Sequence, residues 1–229
     1  MSDIHPVPQQ LRRRLWYAVA GAGLFMTTAC AESMQRPDYD AWHQSISALS
    51  LGPGGWVQMV SFFAFGAIVL STVTAWRRIL AGGKGATAFP LLTGLAGASL
   101  LACGIVPQDP APGYDPMGLA LTAPTLGGLI HLALAGIAAL SSMASLLVMA
   151  GRFRGNSSWR GWTWYSALMA VAMAACITIY GFWSTASTGY AGTFERLALL
   201  VPSIWGLTFL MRLGAGAPFM HTQPVASPR

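Results

Sequence analysis

The chain has 229 residues, of which 54% are hydrophobic and only 9% are charged. Soluble domains carry about 25% charged residues, so this composition excludes an ordinary globular protein. The net charge is +6, but the basic residues flank apolar stretches and form no continuous patch with interleaved aromatics, which argues against a nucleic-acid partner.

Six apolar stretches follow one another along the chain, separated by charged and turn-forming residues. Most approach the roughly 20 residues that a helix needs to cross a bilayer. The pattern predicts an all-α fold, a polytopic integral membrane protein built as a six-transmembrane-helix bundle. The predicted spans cover residues 15–31, 56–76, 86–106, 126–150, 162–184 and 197–211.

The basic residues fall in alternate gaps between these stretches. With the N-terminus in the cytoplasm, 11 of the 13 Lys and Arg residues are cytoplasmic, and only Arg36 and Arg196 are outside. Short loops rich in Lys and Arg stay in the cytoplasm, so the pattern predicts an N-in, C-in orientation. The predicted organisation is a cytoplasmic segment over 1–14, a membrane domain over 15–213 and a disordered cytoplasmic tail over 214–229.

Small residues are frequent in the first and third predicted spans, with Gly21, Gly94 and Gly97 as examples. Such residues allow helix backbones to approach closely in lipid. Packing within the bundle and self-association into a homo-oligomer are both open at this point.

The first predicted outer loop, between spans one and two, has the pattern of a short helix in its middle. Asp40 is placed to cap this helix, and Trp42, Ile46 and Leu49 are spaced to form one apolar face. A following Gly-Pro pair ends the pattern. We therefore expect a helix over 41–51 that lies on the outer membrane surface with its apolar face toward the bundle.

The second predicted outer loop, residues 107–125, contains five prolines and two glycines. This composition forbids a long helix or strand. The loop should form a stiff cover across the outer mouth of the bundle, with turns where Asp109 and Asp115 each precede a proline.

A polar vestibule at the outer face is the predicted ligand site. His131 lies six residues past Thr125, about 9 Å down the fourth span. An ionisable group at this depth is costly unless it faces protein and has a partner. Each of these residues could instead have a structural role and bind no ligand. His131 could donate a hydrogen bond to a carbonyl, the aspartates could cap turns, and Arg196 could form a salt bridge that anchors a loop. The candidate ligand-binding residues are His131, Asp109, His43, Arg196, Asp115 and Tyr39.

Four segments carry a resemblance to a known family: YDAWHQSISALSLGPGGWVQ (39–58), VPQDPAPGYDP (106–116), TLGGLIH (125–131) and Glu195–Arg196. They resemble the bacterial domain-of-unknown-function family 998, over residues from about 15 to 213. The run S-x-S-x-L-S-L-G-P-G-G-W is its most specific part. The resemblance implies a multi-pass protein of the bacterial inner membrane, and it implies no established activity.

Two functions fit these features. The first is a non-catalytic binder, carrier or accessory protein whose vestibule holds an unidentified small molecule or lipid. The second is a hydrolase-like enzyme acting on outer-leaflet lipid, with His131 or His43 as base, Asp109 as orienter and a serine such as Ser47 as nucleophile. A b-type haem protein is a third reading, for which only His131 is placed inside the bilayer. The spacing of the cysteines and histidines predicts no metal site and no cofactor.

Overall fold

The computed structural model describes residues 7–186 and 189–215, and over these residues the fold is helical with irregular connections. Two short 3₁₀ segments, Ile46–Ser50 and Ser157–Trp159, accompany the α-helices. The α-helices are α1 (Gln9–Gln35), α2 (Gly55–Ser71), α3 (Val73–Ile79), α4 (Ala88–Cys103), α5 (Leu126–Phe153), α6 (Arg160–Trp183) and α7 (Ala191–Gly214).

Four segments of the described chain are long and apolar enough to cross a membrane. They are Gly55–Ile79, Leu126–Phe153, Ser157–Trp183 and Ala191–Gly214, the first of which joins α2 to α3. The shorter α4 is also apolar, with 16 residues. These helices have the length and composition of a multi-pass membrane protein.

The ends of the membrane domain differ from the predicted boundaries. Helix α1 begins at Gln9, within the segment predicted to precede the first span, and continues without a break to Gln35. At the other end α7 finishes at Gly214. Most of the predicted disordered tail, from residue 216 onward, lies outside the described residues.

The helices form a closed ring in which each packs on its neighbours: α1 on α2, α2 on α4, α4 on α5, α5 on α6, α6 on α7, and α7 on α1. Glycines permit the closest of these approaches. A Cβ on Gly66 would lie 2.3 Å from the backbone nitrogen of Leu101, and one on Gly97 would lie 3.0 Å from that of Leu70. Gly97 therefore serves packing between α2 and α4, as helices in lipid commonly use small residues.

Arginine side chains tie the predicted cytoplasmic connections together at one end of the ring, since each donates to a neighbouring connection or helix end. These ties join Arg14 to the Thr74 hydroxyl, Arg152 to the carbonyls of Leu80 and Lys84, and Arg212 to the carbonyl of Ser158.

An aromatic cluster fills the ring at this same end, which we call the inner end. The rings of Phe153 and Trp159 stack with centroids 4.9 Å apart, and those of Trp205 and Phe209 stack at 5.1 Å. Trp76 and Phe89 complete the cluster, edge to face at 4.7 Å. The inner end of the ring is therefore closed by buried aromatic side chains.

The predicted helix over 41–51 is wrong in its extent and in the placement of Trp42. Only Ile46–Ser50 is helical, as a 3₁₀ segment. Ile46 is fully buried, whereas Trp42 is 64% exposed, so the two do not share one apolar face. Asp40 accepts a hydrogen bond from the Trp42 N–H at 2.8 Å and so caps a separate turn. The physical reason lies in side chains of α1 and α7 that bind the backbone of this segment.

Candidate functional site

A buried segment that contains a short 3₁₀ helix closes the outer end of the ring. All seven residues from 45 to 51, which we call the plug, are buried. Backbone N–H and C=O groups that are removed from water must find partners, and most of those in the plug lack the ladder of a regular α-helix. The neighbouring helices supply side chains for this purpose.

Two adjacent residues on α7 bind opposite kinds of backbone group. Glu195 Oε2 accepts a hydrogen bond from the N–H of Ile46. Arg196 Nη1 donates to the carbonyls of Ala41 at 2.8 Å and Gln44 at 3.1 Å. The Glu195–Arg196 pair therefore clamps the first outer loop through its amides and its carbonyls together.

Tyr39 extends this clamp. Its hydroxyl accepts from Arg196 Nη2 at 2.7 Å and donates to the carbonyl of Ser45 at 2.8 Å. Burial raises the pKa of Tyr39 to about 12, although the Arg196 guanidinium acts in the opposite direction. Tyr39 and Arg196, two of the predicted site residues, are thus in direct contact, and both hold the loop.

A second clamp reaches the far end of the plug from α1. Arg36 donates to the carbonyls of Leu49 at 3.2 Å and Leu51 at 3.1 Å. Its guanidinium is held by a salt bridge to Glu32 at 2.8 Å. Both arginines predicted to lie outside therefore bind loop backbone.

The second outer loop packs over the first, and its aspartates stabilise local turns. Asp109 accepts from the backbone N–H of Thr125 at 2.8 Å and from its hydroxyl at 2.6 Å, next to the start of α5. Asp115 accepts from the N–H of Ala120 at 2.9 Å, and this hydrogen bond lowers the pKa of the Asp115 carboxyl. These contacts match the turn-capping alternative for both residues.

His131 faces protein, as its depth led us to expect, and it is only 2% exposed. Its Nδ1 donates to the carbonyl of Val106 at 2.6 Å, which ties α5 to the end of the α4 segment. Its ring lies edge-on to Phe62 with centroids 6.2 Å apart. Its Nε2 is buried and has no hydrogen-bond partner among the described residues.

His43 lies in a different part of the outer face. Its Nδ1 is 2.7 Å from Asp40 Oδ2, and its ring stacks on that of Tyr190 with centroids 5.6 Å apart. Slight desolvation raises the pKa of Asp40, but hydrogen bonds from the Trp42 N–H and from His43 lower it overall. His43 is therefore paired locally and contacts none of the other candidate residues through these bonds.

Beneath the plug, the centre of the ring contains a cavity of about 390 Å³. All seven helices contribute to its wall, which consists mainly of aliphatic and aromatic side chains with scattered hydroxyls. Among the described lining residues, only Glu195 has an acidic or basic side chain. The volume lies within the range of about 300–1,000 Å³ that is usual for small-molecule sites.

None of the six predicted site residues lines this cavity. Sequence reasoning placed the candidate site in the polar loops, whereas the cavity lies among apolar helices. Three helical glycines line the cavity, and a Cβ on Gly136, Gly181 or Gly206 would meet no atom of a neighbouring element within 4 Å. In the sequence these glycines look like ordinary packing residues, so they gave no sign of a cavity. Only Ser47 and Glu195 connect the loop motifs with the cavity wall. Within the described ranges, no three His, Cys, Asp or Glu side chains group closely enough to hold a metal ion.

A ring of helices in which four described segments are long and apolar enough to cross a membrane is typical of a multi-pass helical membrane protein. Residues 19–212 match the family DUF998, described as a protein of unknown function. The match covers most of the chain, so the protein belongs to this family, which confirms the resemblance in its loop motifs. No curated protein and no solved structure matches the chain.

Proposed function

We propose that this protein is a non-catalytic membrane protein that binds a lipid-like ligand in the central cavity, as a carrier or an accessory protein. The observation that supports this most is the apolar wall of the cavity, to which every helix of the ring contributes. A hydrocarbon chain needs no directional partner, whereas a polar ligand would lose hydrogen bonds on entering such a wall, so a lipid-like ligand suits it best.

The sequence predicted a ligand site in the polar vestibule. The contacts of the outer loops instead favour a ligand site in the cavity below it. Arg196 and Tyr39 use their polar atoms on loop backbone, and Asp109 uses both carboxylate oxygens on Thr125. A ligand in the vestibule would compete with these hydrogen bonds. A ligand in the cavity leaves them in place.

The proposal includes six spans with both termini in the cytoplasm, in the inner membrane of a bacterial cell. Helices α1 and α4 complete the ring begun by the four long apolar segments. The inner end collects Arg14, Arg152 and Arg212. This agrees with the preference of Lys- and Arg-rich connections for the cytoplasm.

The contacts of His131 and Asp109 do not support their pairing as base and orienter in the alternative, a lipid hydrolase. His131 Nδ1 is occupied by the carbonyl of Val106, while the carboxylate of Asp109 is occupied by Thr125. A base and its orienter must be hydrogen-bonded to act together. We propose the binding function in preference to this pairing, because the apolar cavity supports it directly.

Native mass spectrometry of the protein purified in a mild detergent tests the proposal. We expect a retained lipid on the parent protein, and about tenfold less of it on Gly206→Leu if the added side chain costs about 1.4 kcal/mol of binding free energy. Gly206 lines the cavity, and a Cβ there would meet no neighbouring element within 4 Å.

Gly23→Leu is the matched control. Gly23 is an exposed helical glycine with equally open surroundings, and it does not line the cavity. Its substitution should leave lipid retention unchanged. A parent protein free of lipid, or equal retention by Gly206→Leu, would refute the proposed function.

A further inference from the structure

We infer that the cavity is entered sideways from the bilayer, through a portal between the outer halves of α5 and α6, and that its occupant is the hydrocarbon chain of a membrane lipid. This inference rests on the proposed binding function and adds the route and the ligand class. The portal is defined by Leu132 and Gly136 on α5 and Gly181 on α6.

The exposure of the cavity wall locates the portal. Among the described lining residues, three are exposed: Leu132, at 61%, Gly136 and Gly181. The remaining lining residues are buried or half-buried. All three exposed residues lie on the two neighbouring helices α5 and α6, so the cavity meets the surroundings between them.

Local contacts distinguish the inner end of this helix pair from its outer end. Their inner ends are held together by the stack of Phe153 on Trp159, at 4.9 Å, and by Trp162 against Phe153 at 6.1 Å. Farther out, Gly136 on α5 and Gly181 on α6 have no side chain to fill the space between the helices, and both are exposed beside the cavity. The pair is therefore locked near the predicted cytoplasmic connection and open toward the outer side.

Both aqueous ends of the cavity are closed. The buried aromatic cluster fills the inner end. The plug, held by Arg36 on one side and by Glu195 and Tyr39 on the other, covers the outer end. A molecule arriving from water would have to displace one of these, whereas a molecule dissolved in the bilayer meets an open, apolar entrance.

The distribution of polar groups sets the orientation of the occupant. Ser47, Tyr180 and Glu195 contribute to the outer part of the cavity wall. The wall near the aromatic cluster includes Trp76 and Trp205. A lipid chain would therefore point inward, toward the tryptophans, with its polar end at the level of Glu195, where the headgroup region of the outer leaflet is expected.

A photoreactive phospholipid with a diazirine in its acyl chain, reconstituted with the full-length protein in phosphatidylcholine vesicles, tests the portal. Residue-level mass spectrometry of α4 gives an internal comparison. Leu91 and Leu95 are exposed on its outside, whereas Ala96 and Leu100 are buried and line the cavity. We expect all four to be labelled in the parent protein.

The variant Gly181→Trp should close the portal from the α6 side. We expect labelling of Ala96 and Leu100 to fall by at least about fivefold, because an indole is large enough to fill the opening. Labelling of Leu91 and Leu95 should not change, and Gly23→Trp should alter neither pair. Gly136→Trp should close the same opening from α5. It provides the test if Gly181→Trp does not fold.

Labelling of Ala96 and Leu100 that persists in both tryptophan variants would overturn the portal. The portal would also be overturned if these two residues carried no label in a parent protein whose native mass spectrum still shows retained lipid. In that case the binding function would stand. Absence of both the label and the retained lipid would overturn the binding function as well.

Discussion

Tyr39 shows how one side chain joins two parts of the outer face. Its hydroxyl accepts from Arg196 and donates to the carbonyl of Ser45, while its ring lies edge-on to that of Tyr114 with centroids 5.2 Å apart. The first contact reaches α7, the second the start of the plug, and the third the second outer loop. Removal of the hydroxyl alone would leave the packing of the ring in place and break only its hydrogen bonds, which include a longer one to the carbonyl of Gln44 at 3.2 Å.

Tyr39→Phe should therefore lower the free energy of unfolding by about 1–3 kcal/mol, the usual cost of leaving buried partners unsatisfied. The pKa of Tyr39 is raised from 10.0 to about 12, so its contribution is fully present below about pH 10 and is lost as the pH rises through about 12. Thermal unfolding in detergent between pH 7 and pH 12 should show a smaller alkaline loss for the variant. Tyr17→Phe, at an exposed tyrosine of α1, serves as the control. An identical alkaline profile for Tyr39→Phe and the parent would contradict this prediction.

Gly127 and Gly128 differ sharply in the space around them. A Cβ on Gly128 would lie 2.0 Å from Asp109 Oδ2, whereas the nearest atom to a Cβ on Gly127 is the Thr125 hydroxyl at 3.6 Å. Asp109 and Thr125 together form the cap of α5, in which the Thr125 hydroxyl also accepts from the Gly128 N–H at 3.0 Å.

Gly128→Ala should displace the Asp109 carboxylate and weaken this cap, at a cost of about 0.5–2 kcal/mol. Gly127→Ala should be neutral or slightly stabilising, because alanine favours the helix over glycine by about 1 kcal/mol. The melting temperatures of the two purified variants give the comparison. Equal melting temperatures for the two variants would contradict the prediction that a side chain at position 128 displaces the Asp109 carboxylate.

The plug, built around the 3₁₀ segment Ile46–Ser50, stays buried because side chains bind the backbone groups that the segment does not satisfy itself. A regular helix would satisfy its own N–H and C=O groups, and an exposed loop would use water. The 3₁₀ segment satisfies part of the plug backbone, and other groups depend on side chains: Glu195 binds the N–H of Ile46, Tyr39 binds the carbonyl of Ser45, and Arg36 binds the carbonyls of Leu49 and Leu51. Unsatisfied backbone groups are costly in a membrane protein, so the clamps are needed to keep this segment buried.

Arg196→Lys should loosen the first outer loop without unfolding the ring. A lysine ammonium carries three donors on a flexible stem and cannot reproduce the planar guanidinium that reaches Ala41, Gln44 and Tyr39 at once. We expect faster hydrogen–deuterium exchange in peptides covering 39–51, and no change in α5. Arg13→Lys, at an exposed position of α1, is the control. Unchanged exchange over 39–51 would contradict the clamp.

At the level of the whole molecule, the ring has a closed inner end, a closed outer end and a hollow centre. The orientation of this ring in the membrane can be tested with single cysteines in a background that lacks Cys30, Cys103 and Cys176. A membrane-impermeant maleimide added to intact cells should label Asp115→Cys and should not label Lys84→Cys, since the positive-inside rule places Lys84 in the cytoplasm. The reverse labelling pattern would invert the proposed topology.

The sequence by itself determined the class of protein, the approximate positions of its long apolar helices, and its family. The predicted span 126–150 corresponds to α5, Leu126–Phe153, and the span 162–184 to α6, Arg160–Trp183. Hydropathy, helix length and loop charge are properties of neighbouring residues, so they can be read along one dimension. The burial of His131 followed from the same reasoning, because its depth in an apolar stretch requires it to face protein.

Only the tertiary structure decided the form of the plug and the place of the cavity. Glu195 binds Ile46 across 149 residues of sequence, and Arg196 binds Ala41 across 155, so no local pattern around residues 41–51 could show that its backbone was already satisfied. The cavity depends on where seven helices fail to touch. That spacing follows from how the helices pack on one another, and it is why Gly136, Gly181 and Gly206 look like ordinary helical glycines until the ring is assembled.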